Sequence, residues 1–220
     1  MKMEEADKGQ VTKSAAQVYE EFFVPALFQE WTERIIDRSG ISKGQAVLDV
    51  ACGTGVLTRA VFEKTGPTGS VCGLDLNDGM LAVARLQAPN IEWRHAAAES
   101  MPFEDETFDT VVCQFGLMFF EDKAGAIREM YRVLNRGGKL VVAVWDSLEN
   151  VPGYQRVVEL LKRLFGDDMA DTLRSPYSLG DEGKLRKLFN LAGISDATVE
   201  NLSGKARFPS IESWMFTDVR

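Results

Sequence analysis

The chain has 220 residues, of which 45% are hydrophobic and 26% charged, and its formal net charge at pH 7 is −8. This length and balance fit one globular domain with a sizeable core, and no apolar run approaches the ~20 residues that a membrane-spanning helix needs. The negative charge disfavours a nucleic acid as the substrate, because contacts to phosphates dominate the affinity of proteins for nucleic acids.

Helical and strand patterns alternate along the first two thirds of the chain. Residues 12–39 predict a helical cap with a break at Val24-Pro25, because proline suits the first turn of a second helix. Strands are predicted near residues 46–51, 70–75, 91–96, 107–113 and 139–145, and helices near residues 56–64, 78–87 and 122–134. This alternation predicts an α/β fold, namely a doubly wound, mostly parallel sheet with helices on both faces.

The pattern changes after Trp145-Asp146. Residues 153–166 and 181–192 predict helices, residues 197–208 predict a strand, and a further helix is predicted from Ser210 onward. We therefore treat residues 1–220 as a single domain, in which residues 147–220 supply helices and one C-terminal strand.

The most informative segment joins the first strand to the first helix of the sheet. Its sequence is Val47-Leu48-Asp49-Val50-Ala51-Cys52-Gly53-Thr54-Gly55. Gly53 and Gly55 allow a sharp turn and a close approach to a ligand, and the free amides of the helix that begins at Val56 face that turn. Asp75 ends the second strand, 20 residues after Gly55, where a doubly wound sheet places the acid that binds a ribose diol. Together these features predict a pocket for a nucleoside-containing cofactor, with capping of the helix near Asn77-Asp78 as a competing role for Asp75.

The spacing of the turn distinguishes two classes of cofactor. A dinucleotide-dependent oxidoreductase would have a third glycine at position 58, where this chain has Thr58, and it has no use for Asp49 on the preceding strand. The pattern Asp49-x-Ala51-x-Gly53-x-Gly55 instead resembles motif I of the class I S-adenosylmethionine-dependent methyltransferases. In that family the turn wraps the methionine end of the cofactor, which carries an ammonium group and a carboxylate.

Three further segments resemble the branch related to the methyltransferases of ubiquinone and menaquinone biosynthesis. They are Ala98-Glu99-Ser100-Met101-Pro102-Phe103, the strand at residues 108–113, and the helix, glycine turn and strand at residues 128–140. The resemblance spans roughly residues 12–146 and implies a Rossmann-like fold with residues 44–146 as the cofactor-binding core and residues 12–39 as the N-terminal helical cap. It also implies a closing antiparallel hairpin, of which only one strand is evident here. We therefore expect the hairpin to be incomplete and the sequence to be truncated relative to a natural protein of this type.

The resemblance implies S-adenosyl-L-methionine as cofactor, S-adenosyl-L-homocysteine as product, and a defined set of cofactor-binding residues. These residues are Tyr19, Asp49, Ala51, Gly53, Thr54, Gly55, Asp75, Leu76, Met80, Ala97, Ala98, Glu99 and Gln114. Family members often have Asp where this chain has Ala97, so the adenine amino group must be served by Glu99 or water, while the amide of Ala98 donates to a ring nitrogen. Ordinary core packing is the competing interpretation for Tyr19, Leu76 and Met80.

Few residues qualify as catalytic, and Tyr19 and Gln114 are the candidates. His95 is the only histidine and the three cysteines (Cys52, Cys72 and Cys113) fall at or near predicted strands, so no metal site is predicted and reduced thiols favour a cytoplasmic protein.

The sequence thus predicts methyl transfer to a small-molecule acceptor by in-line displacement, with positioning as the main source of catalysis. Phe23, Phe28, Phe115 and Trp145 near the expected mouth favour an apolar or aromatic acceptor. The alternatives are a non-catalytic S-adenosylmethionine-binding module and, with less support, a dinucleotide-dependent oxidoreductase.

Overall fold

A five-stranded parallel sheet forms the framework of the computed structural model, which describes residues 13–218. Its strands are β1 (Ala46–Val50), β2 (Ser70–Asp75), β3 (Glu92–His95), β4 (Phe108–Gln114) and β5 (Leu134–Ala143), in the order β3-β2-β1-β4-β5. Every neighbouring pair is parallel, which confirms the predicted doubly wound sheet. The strand order reverses between β1 and β4, and ligands of such sheets bind in the crevice beyond the carboxyl ends at that point.

Strand β1 lies at the centre of the sheet and is buried on both faces. Val47, Leu48 and Val50 have no exposed surface, as expected for a strand covered by helices on both sides. Asp49 is the one charged residue in this strand, so its burial among apolar neighbours needs a separate explanation.

Helices cover both faces of the sheet. The amino-terminal part contains α1 (Lys13–Val18), α2 (Gln29–Ser39), α3 (Val56–Thr65), α4 (Asp78–Gln87) and α5 (Lys123–Arg132). Ile35 of α2 and Val61 of α3 share one apolar cluster with Val47, while Met130 of α5 packs with Leu48 in the cluster on the opposite face. Among the described residues, no helix is both long enough and apolar enough to cross a bilayer.

The predicted break of the cap at Pro25 is wrong. Helices α1 and α2 are joined without interruption by a π-helical segment, Tyr19–Phe28, which contains Pro25. The amide of Gln29 donates to the carbonyl oxygen of Val24, five residues earlier. Because proline has no N–H to donate, it breaks the α-helical hydrogen-bond pattern. Bonds between residues five apart, as in the wider π-helical turn, continue the helix past the proline. Thr12, the first residue of the predicted cap, lies outside the described residues, as do residues 219–220.

The carboxyl-terminal part is helical and contains α6 (Pro152–Phe165), α7 (Asp167–Arg174), α8 (Glu182–Leu191) and α9 (Ile211–Asp218). The prediction contains no helix at the position of α7. This helix follows α6 after the single residue Gly166, whose φ is +90°. Gly166 ends α6 where the predicted helix ends, while the 8 residues of α7 form too short a segment for periodicity to predict a separate helix.

The strand predicted over residues 197–208 is also wrong, since this stretch is irregular. It is tied to the fold by isolated contacts: the amide of Arg207 donates to the carbonyl of Ala26 at 2.9 Å, and Asn201 donates to Asp146 at 2.8 Å. Such isolated hydrogen bonds do not form the regular series of inter-strand bonds that defines a β-strand. Within residues 13–218 the sheet therefore has five strands, and β5 pairs with β4 alone.

Candidate functional site

The turn after β1 is held in a conformation that favours glycine. Gly53 and Gly55 have φ values of +56° and +87°, and Ala51 just before them also lies in the left-handed region at +56°. A Cβ atom on Gly55 would come within 2.4 Å of the Trp93 ring, so both backbone conformation and space require glycine there. Ala51 has no such freedom, and a non-glycine residue at positive φ carries strain of the kind found at functional sites.

Asp49 is almost completely buried at the end of β1, with 1% of its surface exposed. The hydroxyl of Thr58, on α3, donates to its Oδ2 at 2.6 Å. Its Oδ1 is buried and has no hydrogen-bond partner among the described residues. The pKa of the Asp49 carboxyl is raised to about 7, mainly by burial and also by the charge of Asp75, while hydrogen bonds from Thr58 oppose the shift.

Asp75, at the end of β2, ties that strand to the turn. Its Oδ2 accepts from the amide of Gly53 at 2.8 Å, and its Oδ1 accepts from the amide of Asn77 at 2.8 Å. Burial raises the pKa of Asp75, and these amide bonds oppose the rise. The side chain of Asn77 caps α4 by accepting from the amide of Met80, so the capping role considered for Asp75 belongs to Asn77. Each Asp75 oxygen keeps a lone pair for a further donor.

A narrow cavity of about 30 Å³ lies beside the turn, with room for about two water molecules. Its walls come from the cap, from β1 and the turn, and from the ends of α3 and β4. They are formed by Tyr19, Phe28, Asp49, Ala51, Cys52, Gly53, Thr54, Val56, Leu57 and Gln114. Three polar atoms of these walls are buried without a partner among the described residues: Asp49 Oδ1, Thr54 Oγ1 and Gln114 Oε1. Because buried polar atoms are normally bonded, three of them around one cavity indicate a polar ligand.

Tyr19 closes the cavity from the side of the cap. Its ring packs against that of Phe28, with the centroids 5.1 Å apart, and against that of Phe23 at 6.2 Å. Burial raises the pKa of the Tyr19 phenol above its ordinary value, and the negative charges of Asp75 and Glu20 add to the rise. The phenol is therefore protonated at neutral pH and can donate a hydrogen bond.

Gln114 closes the cavity at the end of β4. Its Nε2 donates to the carbonyl oxygen of Phe28 at 3.4 Å, which leaves Oε1 as a buried acceptor. Phe115 follows with a φ of +54°, and its ring stacks on Trp145 with the centroids 3.8 Å apart and the planes 6° apart. Phe28 and Trp31 pack around this stack, so the aromatic residues expected near the mouth form one cluster, apart from Phe23.

The structure brings six of the predicted site residues together around the cavity, namely Tyr19, Asp49, Ala51, Gly53, Thr54 and Gln114. Gly55 is the N-cap residue of α3, and the side chain of Asp75 accepts a hydrogen bond from the turn. The only histidine, His95, has its Nε2 2.7 Å from the carbonyl oxygen of Leu76.

The remaining predicted residues lie beyond the cavity, around the ends of β2 and β3. Leu76 is 56% exposed, Met80 is half-buried in the first turn of α4, and Ala97 is half-buried after β3. Ala98 belongs to the apolar core, and Glu99 accepts from the amide of Glu121 at 3.1 Å. The edge predicted to hold adenine is thus more open than the cavity.

Sequence reasoning missed the partner of Asp49 and part of the cavity wall. The motif spacing identifies Thr58 only as a missing glycine, although a buried threonine on the sheet-facing side of α3 is a signal for a hydrogen bond to β1. Phe28 was expected near the acceptor, yet it also lines the cavity. Glu20 and Arg59, which join the cap to α3, carried no motif signal.

The chemistry of the cavity distinguishes between classes of ligand. Its unpartnered atoms include two acceptors, Asp49 Oδ1 and Gln114 Oε1, and the described residues that line it include no lysine or arginine. Such walls suit a group that donates hydrogen bonds, such as an ammonium, better than a diphosphate.

Comparison with known proteins agrees with this geometry. Residues 2–206 match the profile described as the ubiE/COQ5 methyltransferase family. A relative named demethylmenaquinone methyltransferase, from Staphylococcus aureus strain JH9, is 32% identical over 188 residues, which cover 79% of this chain and 78% of the relative.

Solved structures agree on the fold. A structure described as an S-adenosyl-L-methionine-dependent methyltransferase from Methanococcus maripaludis superposes with a TM-score of 0.65 at 24% identity, covering 94% of each chain. A methyltransferase structure from Bacillus halodurans C-125 gives a TM-score of 0.57 at 26% identity, covering 74% of this chain and 68% of that one.

Proposed function

Since the chain belongs to the ubiE/COQ5 methyltransferase family and is an S-adenosylmethionine-dependent methyltransferase, we propose that it methylates a small apolar or aromatic acceptor. The observation that carries the cofactor assignment is the set of unpartnered polar atoms around the cavity. Their arrangement beside a glycine turn matches the needs of the amino-acid end of the cofactor.

The residues of the cavity divide the recognition of that amino-acid end between them. Asp49 Oδ1 and Gln114 Oε1 accept hydrogen bonds from the ammonium group, and the charge of that group favours ionised Asp49. The protonated phenol of Tyr19 and the hydroxyl of Thr54 donate to the carboxylate. Asp75 uses its remaining lone pairs for the ribose hydroxyls, while its bonds to Gly53 and Asn77 hold it in place.

The chemical step needs little from side chains beyond position. The chemistry that S-adenosylmethionine would supply is a methyl group on a sulfonium. The acceptor would form a bond to that carbon as the carbon–sulfur bond breaks, S-adenosylhomocysteine would leave, and any proton on the reacting atom of the acceptor would pass to solvent. The aromatic cluster around Phe115 and Trp145 directly follows Gln114 and packs against Phe28 of the cavity wall. Holding two reactants in line supplies up to about 7–11 kcal/mol in the best cases, so no metal or covalent nucleophile is required. Burial raises the pKa of the Tyr19 phenol, which favours its protonated form and a role as a hydrogen-bond donor over a role as a base.

The acceptor is proposed from two kinds of support. Phe28 lines the cavity and packs against the rings of Phe115 and Trp145, and this aromatic surrounding favours a flat apolar ring over a charged acceptor. The S. aureus relative is named for demethylmenaquinone, so a quinone-type ring is the first acceptor to test.

Transfer of a radiolabelled methyl group from S-adenosylmethionine tests this proposal. The acceptors are short-chain demethylmenaquinone reduced chemically to its quinol, simple catechols and hydroquinones, and a panel of primary amines as the contrasting class. We expect label in the aromatic acceptors and none in the amines, and we expect Asp49→Asn to reduce the rate at subsaturating cofactor. Labelling of amines alone would contradict the acceptor class, and cofactor binding without transfer to any acceptor would favour the non-catalytic binding module.

A further inference from the structure

Arg59 bridges two walls of the cavity without lining it. From α3, its Nη2 lies 2.6 Å from Oε1 of Glu20 in the π-helical segment, and its Nη1 donates to the carbonyl oxygen of Thr54 at 2.6 Å. We propose that Arg59 is a positioning residue that latches the N-terminal cap onto the glycine turn. The two bonds together define the latch, and its effect on cofactor binding rests on the proposed function of the cavity.

The latch contains a carboxylate with one compensating charge. The Glu20 side chain is 13% exposed, and its second oxygen, Oε2, is buried without a partner among the described residues. Glu20 and Arg59 lie in a groove on the outside of the cap and α3, which Glu33 and Glu63 also line. Among the described residues that form this groove, Arg59 is the only cationic side chain. Removing the guanidinium would therefore leave Glu20 uncompensated beside other carboxylates, which favours withdrawal of the cap from α3.

The latch acts on the cavity through the neighbours of its two partners. Glu20 directly follows Tyr19, and Thr54 stands between Gly53 and Gly55, so each partner belongs to the cavity wall or adjoins it. Since the closed cavity holds only about two water molecules, the methionine end of the cofactor enters when the cap moves away. Arg59 then sets how strongly the cap returns over the bound cofactor, and its loss should raise the KM for S-adenosylmethionine more than it lowers kcat.

Four variants separate a latch from a merely structural arginine. Arg59→Met removes both bonds, and Arg59→Lys keeps the charge but has a single nitrogen where the latch uses two. Arg59→Met combined with Glu20→Leu removes the uncompensated carboxylate together with its partner. Arg38→Met is the matched control, since it breaks an exposed ion pair to Glu200, at 2.9 Å, away from the cavity.

Calorimetric titration with S-adenosylhomocysteine gives the first readout. We expect Arg59→Met to raise the dissociation constant by about tenfold and Arg59→Lys by less, with Arg38→Met unchanged. The double variant should bind more tightly than Arg59→Met alone, because the buried charge is gone. Equal affinities for the wild type and a folded Arg59→Met would overturn the proposal, as would a double variant that is weaker than Arg59→Met.

Hydrogen exchange of the cofactor-free protein gives a second readout that does not depend on the proposed function. We expect Arg59→Met to speed amide exchange in residues 13–28 while exchange in β1 and β4 is unchanged, and Glu20→Leu to reverse part of the effect. Unchanged exchange in residues 13–28 would overturn the latch whatever the chain binds. A wild type that binds no S-adenosylhomocysteine but shows this exchange pattern would retain the latch and remove the cofactor assignment.

Discussion

Asp49 places an ionisable carboxyl in the central strand of an apolar sheet, where Thr58 is its one side-chain hydrogen-bond partner among the described residues. A buried carboxylate with one unpartnered oxygen destabilises the fold, and residues that lower stability without structural benefit are typical of functional sites. Oδ1 of Asp49 is a strong acceptor for a cationic donor. A ligand that supplies such a donor therefore offsets the free energy that burial of the carboxylate costs the fold.

Asp49→Asn should stabilise the cofactor-free protein. The carboxyl pKa is raised from 3.8 to about 7, so between those values the folded protein keeps a proton that the unfolded chain has lost, and stability falls as pH rises through this window. Asparagine keeps an acceptor for Thr58 and cannot ionise. We expect its advantage in the free energy of unfolding to be about 2 kcal/mol larger at pH 8 than at pH 5. Urea denaturation at both pH values measures this, and an advantage that does not depend on pH would contradict the assignment.

The ionisation of Asp49, which lowers the stability of the cofactor-free protein, should raise its affinity for the cofactor. Between pH 7 and pH 5 the α-ammonium of the ligand stays charged, while Asp49 takes up a proton and loses its attraction for that group. We therefore expect the affinity for S-adenosylhomocysteine to weaken as pH falls over this range, by at most about tenfold per unit. The matched comparison is Asp49→Asn, whose weaker binding should lack this pH dependence, and a parallel pH dependence in both proteins would place the titrating group elsewhere.

At the scale of elements, Trp93 of β3 connects the glycine turn to β2. Its Nε1 donates to the carbonyl oxygen of Ala88 at 2.9 Å, which fixes the ring over the two glycines. A Cβ on Gly73 would lie 2.5 Å from this ring, and one on Gly55 would lie 2.4 Å from it. The indole thus requires glycine at both positions 55 and 73, and it holds the glycine turn against the sheet.

Gly73→Ala should destabilise the protein through this contact. The backbone of Gly73 has no left-handed conformation that favours glycine, so the effect is steric, and overpacking of this kind costs about 1–3 kcal/mol. Gly153→Ala is the control, because its Cβ would meet the nearest atom at 3.7 Å, an ordinary contact distance. Chemical denaturation compares the two variants. Similar stabilities would show that the Trp93 ring moves freely and does not fix the turn.

Elements with a strong local pattern were predictable, and elements defined by distant partners were not. The strands of the core have continuous apolar runs, and the turn at Gly53 and Gly55 has its own spacing. The π-helical segment depends on how Pro25 is accommodated among neighbouring turns, which local propensity does not encode. The irregular stretch over 197–208 depends on contacts such as that of Arg207 with Ala26, 181 residues apart in the sequence.

At the scale of the whole molecule, the cavity is assembled from three distant parts of the chain. Tyr19 comes from the cap, Asp49 from β1 and Gln114 from β4. Family resemblance named these three residues because motifs carry their positions. It could not show that Oδ1 of Asp49 and Oε1 of Gln114 lack partners, or that Phe115 stacks on Trp145, since these are results of packing.

Cofactor binding should stabilise the whole domain, because the ligand satisfies groups that the folded chain leaves unpaired. At a ligand concentration of 100 times the dissociation constant, the expected gain is about 2.7 kcal/mol. For a protein of this size we expect the melting temperature to rise by about 5 °C or more with S-adenosylhomocysteine. Thermal unfolding followed by circular dichroism measures the shift, with NADH at the same concentration as the negative control. An equal shift with both ligands would indicate a general nucleotide site.

Calorimetric titration of the wild type and of Asp75→Ala with S-adenosylmethionine, S-adenosylhomocysteine and NADH tests the central claim most directly. The account predicts micromolar binding of both sulfur nucleosides, at least about tenfold weaker binding by a folded Asp75→Ala variant, and no heat from NADH. Binding of NADH, or no binding of either sulfur nucleoside by the folded wild type, would contradict it.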